Sequence, residues 1–237
     1  MAAATKSSEV EWIEGAGSPG RPSYLYRYVS LVQCLNVLQK GHLVLVDPAS
    51  WPDKYEGAFS KAIFENEPEF IRANVRAICF SADAASYALW KIFGDPKPVV
   101  RLRFRVSELT KALTAYTSDA AKTFFVRVNY RTKSEIDNEL KGLHLVGRNR
   151  KARDAARFVG MKRAIYSYEQ EYRVVRVTRS NIGSKPIYIP IVPSKVIDQF
   201  KIDPYISPRD VETVKSTLLM TYGSLVDISQ SVHDQDP

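Results

Sequence analysis

At 237 residues, 45% of them hydrophobic and 11% aromatic, the chain carries enough apolar material for one sizeable core, which excludes a disordered or low-complexity protein. Its 34 Lys plus Arg against 26 Asp plus Glu give a net charge of +8, a field that favours phosphate-bearing partners without choosing among them. Cys34 and Cys79 lie in apolar segments without Cys-x-x-Cys spacing, so neither a disulfide framework nor a structural zinc is expected and a reducing cytoplasmic setting fits best.

Residues 1–22 are small, polar and rich in Gly and Pro, which predicts a flexible arm. One domain is expected over 23–228, with 229–237 as a polar tail. Tyr24 to Val29 reads as a strand. Ser30-x-x-Gln33 then supplies a capping box for a helix with Leu31, Cys34, Leu35 and Leu38 on one face and Gly41 as its stop. Leu43 to Val46 is a second strand, ended by Asp47-Pro48, and the aromatic stretch from Trp51 to Gly57 is a loop. A helical stretch from Gly57 to Asn66 precedes a buried strand, Val75 to Ser81, with Ser81 at its carboxyl end. Leu89, Trp90 and Phe93 share a face of the next helix, which Gly94 closes.

From Val99 to Val106 the sequence alternates, placing Arg101, Arg103 and Arg105 on a face expected to be solvated. After one further helix, Phe124 to Tyr130 reads as another alternating strand, and Ile136, Leu140 and Leu143 mark a helix over 134–145. Beyond a basic segment come a strand from Tyr172 to Val177, an extended piece from Pro186 to Val192 and a last helix from Pro208 to Met220. Strands and helices mix without βαβ alternation or a fixed-period repeat, so the fold class is α+β with a mainly antiparallel sheet. No apolar core of a signal peptide and no 18-residue apolar run is legible, so any export takes another route and no membrane partner is expected.

Several motifs carry little chemistry. Gly15 to Gly20 followed by Arg21 imitates a phosphate-binding loop, but no strand precedes it and Pro19 and Pro22 remove the N–H donors such a loop needs. His42, His144 and His233 lack metal-ligand spacing, and Cys34 on its apolar face reads as an inert thiol. The segment containing Arg148, Arg150, Lys151, Arg153 and Arg157, with Lys162 and Arg163 beyond it, suits a phosphate backbone, and Phe124, Phe125 and Tyr130 are aromatic faces on which bases could stack. The same charge suits a dinucleotide pyrophosphate.

Tyr168-Glu169-Gln170-Glu171-Tyr172-Arg173 opens the late strand with two carboxylates one residue apart. Together with Leu25-Tyr-Arg27-Tyr28 on the first strand and Cys79-Phe-Ser81 followed by Leu89-Trp90, it resembles a bacterial domain family catalogued mostly without assigned function, over about Ser23 to Ser229. The order of Arg, Ser and Glu-x-Glu is similar to the Arg-Ser-Glu group of ADP-ribosyltransferases. That resemblance implies a split, mainly antiparallel sheet around an NAD cleft, with NAD as substrate. It further implies that Arg27 and Ser81 hold the cofactor, that Glu171 is the catalytic carboxylate and that Glu169 orients the acceptor. Tyr28, Tyr55 and Trp90 are aromatic candidates to stack on nicotinamide or adenine. Cleaving the nicotinamide glycosidic bond builds an oxocarbenium-like cation, which a fixed carboxylate stabilises, while an Arg fork complements pyrophosphate.

The expected activity is transfer of ADP-ribose to nucleic acid or protein, in a toxin or phage-defence setting with an antitoxin as a partner. In that superfamily the middle motif is Ser-Thr-Ser, whereas only Ser81 is matched here. Arg173 offers the motif a second use, as an ion-paired structural strand. The rival function is a non-catalytic basic module binding nucleic acid.

Overall fold

The computed structural model describes residues 9–14, 20–51, 75–94, 98–116, 121–143, 152–178, 182–183, 185–223 and 226–232. In chain order the strands are β1 (Glu11–Ile13), β2 (Tyr24–Ser30), β3 (His42–Leu45), β4 (Val75–Ser81), β5 (Val99–Arg105), β6 (Ala121–Arg127), β7 (Asn129–Arg131), β8 (Met161–Arg163), β9 (Glu171–Thr178), β10 (Ile187–Pro190), β11 (Ile197–Ile202) and β12 (Asp227–Gln230). The helices are α1 (Leu31–Lys40), α2 (Tyr87–Gly94), α3 (Val106–Ala115), α4 (Lys133–Leu143), α5 (Ala152–Val159), α6 (Pro193–Val196) and α7 (Pro208–Tyr222). No described helix is long and apolar enough to cross a membrane.

Local chemistry sets the boundaries. The Ser30 hydroxyl accepts the Gln33 N–H at 3.3 Å while the Gln33 side chain accepts the Ser30 N–H at 3.1 Å, the reciprocal box expected for α1. Gly41 ends that helix in the left-handed region at φ 60°, its N–H returning to the Val37 carbonyl. Ser207 caps α7 and Pro208 occupies the first turn, where a missing N–H costs nothing.

The chain groups into two compact units, each drawn from separate stretches: Met1–Gly20, Val44–Cys79 and Thr110–Ile189 form the first, and Arg21–Leu43, Phe80–Leu109 and Pro190–Pro237 the second. In the first unit the strands run β1-β6-β9-β4. β6 and β9 are antiparallel in register from Ala121↔Thr178 to Arg127↔Tyr172, and β1 joins β6 in parallel. Ala155, Ala156 and Val159 of α5 bury one face of these strands against Phe124, Val126 and Val175. β7 and β8 form a separate parallel ribbon that aligns Tyr130 with Lys162 and Arg131 with Arg163. In the second unit β2, β5 and β11 are antiparallel neighbours and β12 adds in parallel, with Ser81 at the end of β4 paired to Tyr26. The pairing in both units is mainly antiparallel and the helices follow no βαβ order, as the sequence predicts.

Four expectations are corrected. Glu11–Ile13, read as part of a flexible arm, is a strand because Trp12 stacks on Phe125 at 4.3 Å and Ile13 enters the core. Ser229 and Gln230, assigned to the tail, complete β12 beside β11. Phe93 does not join Leu89 and Trp90 in the core; it sits in the last turn of α2, about half exposed. The arginine face of β5 is not simply solvated. Arg101 is 7% exposed, lies 5.0 Å over the Tyr26 ring and donates to Gln199, while Arg103 forks onto Asp198 at 2.8 and 3.1 Å. Cross-strand tyrosines and the β11 carboxylate cover it. The expected helix from Gly57 to Asn66 and the aromatic loop after Trp51 lie outside the described residues.

Candidate active site

Glu171 is the first residue of β9, and Glu169 is the last residue of a 3-10 turn, Ala164–Glu169, immediately before it. Between them Gln170 takes φ 43°, the left-handed region that a non-glycine residue rarely enters. Both carboxylates consequently reach one ammonium: Lys162 Nζ lies 2.6 Å from Glu169 Oε2 and 3.1 Å from Glu171 Oε2. Arg173, two residues along β9 and therefore on the same side of the strand, forks onto Glu171, with Nε donating to Oε1 at 2.9 Å and Nη2 to Oε2 at 2.8 Å. Its remaining nitrogen donates to the Val159 carbonyl, and its guanidinium lies 4.4 Å over the Trp51 ring. Glu171 and Arg173 are 4% and 1% exposed.

Burial by itself would raise the Glu171 pKa, but the charge and hydrogen bonds of Arg173, joined by Lys162 and the Cys79 thiol, hold it at about 2. The carboxylate is thus ionised at every physiological pH. Its acceptor positions are filled by Arg173 twice, Lys162 and Cys79. The Glu171 N–H donates to the Tyr130 hydroxyl at 2.8 Å, and burial pushes the Tyr130 pKa up, with the Glu171 and Glu169 charges adding to the effect. A permanently ionised, rigidly held carboxylate suits electrostatic stabilisation of a cation. It suits proton abstraction poorly.

In the second unit, Arg27 is half-buried on β2 with its guanidinium 5.7 Å from the Phe80 ring centroid, and the Ser81 hydroxyl accepts the Asp83 N–H at 2.9 Å. Tyr28 and Trp90 pack edge to face at 4.9 Å and are 5% and 2% exposed. These two rings are core, not open stacking surfaces, which corrects the cofactor role expected for them. Burial raises Tyr28 to about 12 and Cys34 likewise to about 12, the latter in keeping with an inert thiol. Tyr55, Arg148, Arg150 and Lys151 lie outside the described residues.

The basic segment divides. Arg153 pairs with Glu11 and Arg157 is exposed on α5, whereas Lys162 is buried on the two glutamates and is no phosphate ligand. Phe124 and Phe125 are buried on opposite faces of β6 and offer no surface to a base. Tyr130 is committed to Glu171. The Arg173 pairing was legible from its spacing of two. Lys162 was not, because the ribbon that brings it to the motif leaves no local pattern.

No protein-family profile matches the chain, and no curated protein sequence matches it. Among solved structures, DarT from Thermus sp. 2.9 in complex with NAD+ aligns with 90% of this chain and 98% of its own, at 13% identity and a TM-score of 0.41. DarT from the same source in complex with ADP-ribosylated single-stranded DNA aligns over 89% and 94%, at 14% identity and a TM-score of 0.39.

Proposed function

We propose that the chain is an NAD-dependent ADP-ribosyltransferase that modifies a macromolecule, nucleic acid before protein, with Glu171 as the carboxylate that stabilises the oxocarbenium-like transition state. The observation that carries this reading is the state of Glu171: buried, ionised and fixed by Arg173 at the first residue of a strand, with Glu169 beside it on Lys162. Glu171 is nearer saturation than a substrate site needs, but Lys162 is closer to Glu169 than to Glu171. A ribose hydroxyl can therefore take the Lys162 position on Glu171 Oε2 while Lys162 stays with Glu169. Arg27, half-buried on β2, and Ser81, the last residue of β4, are proposed as the cofactor ligands on the strength of the resemblance. A cytoplasmic toxin or phage-defence role, with an antitoxin, follows from the resemblance.

The test is label transfer from adenylate-labelled NAD into a bacterial lysate, then into a single-stranded DNA oligonucleotide, the kind of molecule that one DarT structure carries in modified form. Label lost to nuclease names nucleic acid as acceptor, and label lost to protease names protein. Free ADP-ribose alone means hydrolysis. The absence of both label and NAD consumption refutes the enzyme.

A second reading is favoured by the Glu171–Arg173 fork, which is also what a structural ion-pair strand needs. On that reading the chain is a basic nucleic-acid-binding module. Charge reversal at exposed Arg157 then abolishes oligonucleotide binding, and NAD is untouched.

A further inference from the structure

Resting on the transferase reading of the same site, we infer that Lys162 sets the acceptor class: by engaging Glu169 it withholds the carboxylate a guanidinium would pair with, and it restricts transfer to an uncharged nucleophile of nucleic acid. A carboxylate two residues before the catalytic one is suited to receive a guanidinium by a charge-assisted fork. Here Glu169 already has a cation at 2.6 Å. Lys162 is 8% exposed, which fixes it in place where a surface lysine would swing away. Its backbone is held by pairing of β8 with β7, and its ammonium lies 5.1 Å over the Tyr166 ring. The charges of Glu169, Glu171, Lys162 and Arg173 sum to zero. An arriving guanidinium thus meets two resident cations and no spare negative charge, which is discrimination by repulsion.

An uncharged base nitrogen or hydroxyl meets no such penalty. In the transfer, the bond from the ribose anomeric carbon to the nicotinamide nitrogen breaks and its electron pair leaves with neutral nicotinamide. The acceptor lone pair forms the new bond to that carbon, and the acceptor proton passes to water.

Lys162 acts through Glu169 and is a positioning residue, so the decisive readout is a ratio of acceptors. The full chain is given labelled NAD with a single-stranded DNA oligonucleotide and agmatine, a small guanidinium compound, in competition. The wild type is expected to label the oligonucleotide at least about tenfold faster than agmatine. Lys162→Gln and Lys162→Met, each checked for folding by circular dichroism, are expected to shift the ratio toward agmatine by about tenfold. A merely structural lysine lowers both rates together and leaves the ratio unchanged. Comparable labelling of agmatine by the wild type, or variants that leave the ratio within about twofold, overturns the inference. The wild-type ratio decides alone if neither variant folds. Absence of nicotinamide release by the wild type overturns the transferase reading, and this inference with it; release without the expected ratio overturns the role of Lys162 only.

Discussion

Replacing Glu171 by Gln keeps the shape of the side chain and removes its charge, leaving Arg173 and Lys162 buried without their shared anion. A carboxyl held at about 2 in place of its ordinary 4.5 favours the ionised folded state by roughly 3 kcal/mol, and breaking one side of a buried pair costs a similar amount. Glu171→Gln is therefore expected to lose about 3 kcal/mol of stability at pH 7, measured by urea denaturation followed by far-ultraviolet circular dichroism. Arg173→Met is expected to lose about as much, and the double substitution markedly less than their sum, because the second change removes the orphan left by the first.

The pH dependence has a fixed sign. The folded pKa is depressed, so the unfolded chain binds more protons between the two values and stability rises with pH there. The contribution of Glu171 is complete above about 4.5 and fades as pH falls toward about 2, where wild type and Glu171→Gln should converge. Additive single and double effects, or a loss below about 1 kcal/mol for Glu171→Gln, would refute the ion-pair account. Loss of turnover in that variant has meaning for catalysis only at temperatures where it remains folded.

Two further changes test the scaffold of the site. Tyr130→Phe deletes the hydroxyl that accepts the Glu171 N–H, and a loss of about 1–2 kcal/mol is expected, with faster hydrogen exchange of that amide; unchanged exchange would show that the hydroxyl is not its partner. Gly160→Ala places a methyl group against Val126 Cγ1, and within 3.2 Å of the Arg157 carbonyl, in the bend between α5 and β8. It should cost about 1–3 kcal/mol in the same denaturation assay, and a neutral result would mean that α5 shifts freely on β6.

Much of the architecture was readable where the signal is local. The capping box at Ser30, the stop at Gly41 and Pro208 in the first turn of α7 each act within a few residues, and each stands where the sequence places it. Failures came where a distant segment decides. Glu11–Ile13 lies in a small, polar, Gly/Pro-rich stretch that reads as an arm until β6 supplies Phe125 for Trp12. Arg101 and Arg103 alternate like a wetted face until Tyr24, Tyr26 and Asp198 cover them. The candidate site shows the same division. Arg173 lies one strand period from Glu171, whereas Lys162 reaches it through a parallel ribbon whose pairing no periodicity announces. Tyr28 and Trp90 illustrate the opposite error, since large rings near a supposed cleft pack edge to face inside the core.

The interleaving of the two units along the chain also governs how the protein can be made. Each unit is assembled from three separated stretches, so no contiguous fragment contains either of them without part of the other. β1 emerges from the ribosome early and must wait for β6, while β2 waits first for β5 and then for the β5–β11 pairing to complete its sheet. Such distant pairings close late and fold slowly. Truncation from either end should thus yield aggregation-prone pieces instead of a working half, and a growing chain holds no finished carboxylate cluster until β9 has been synthesised.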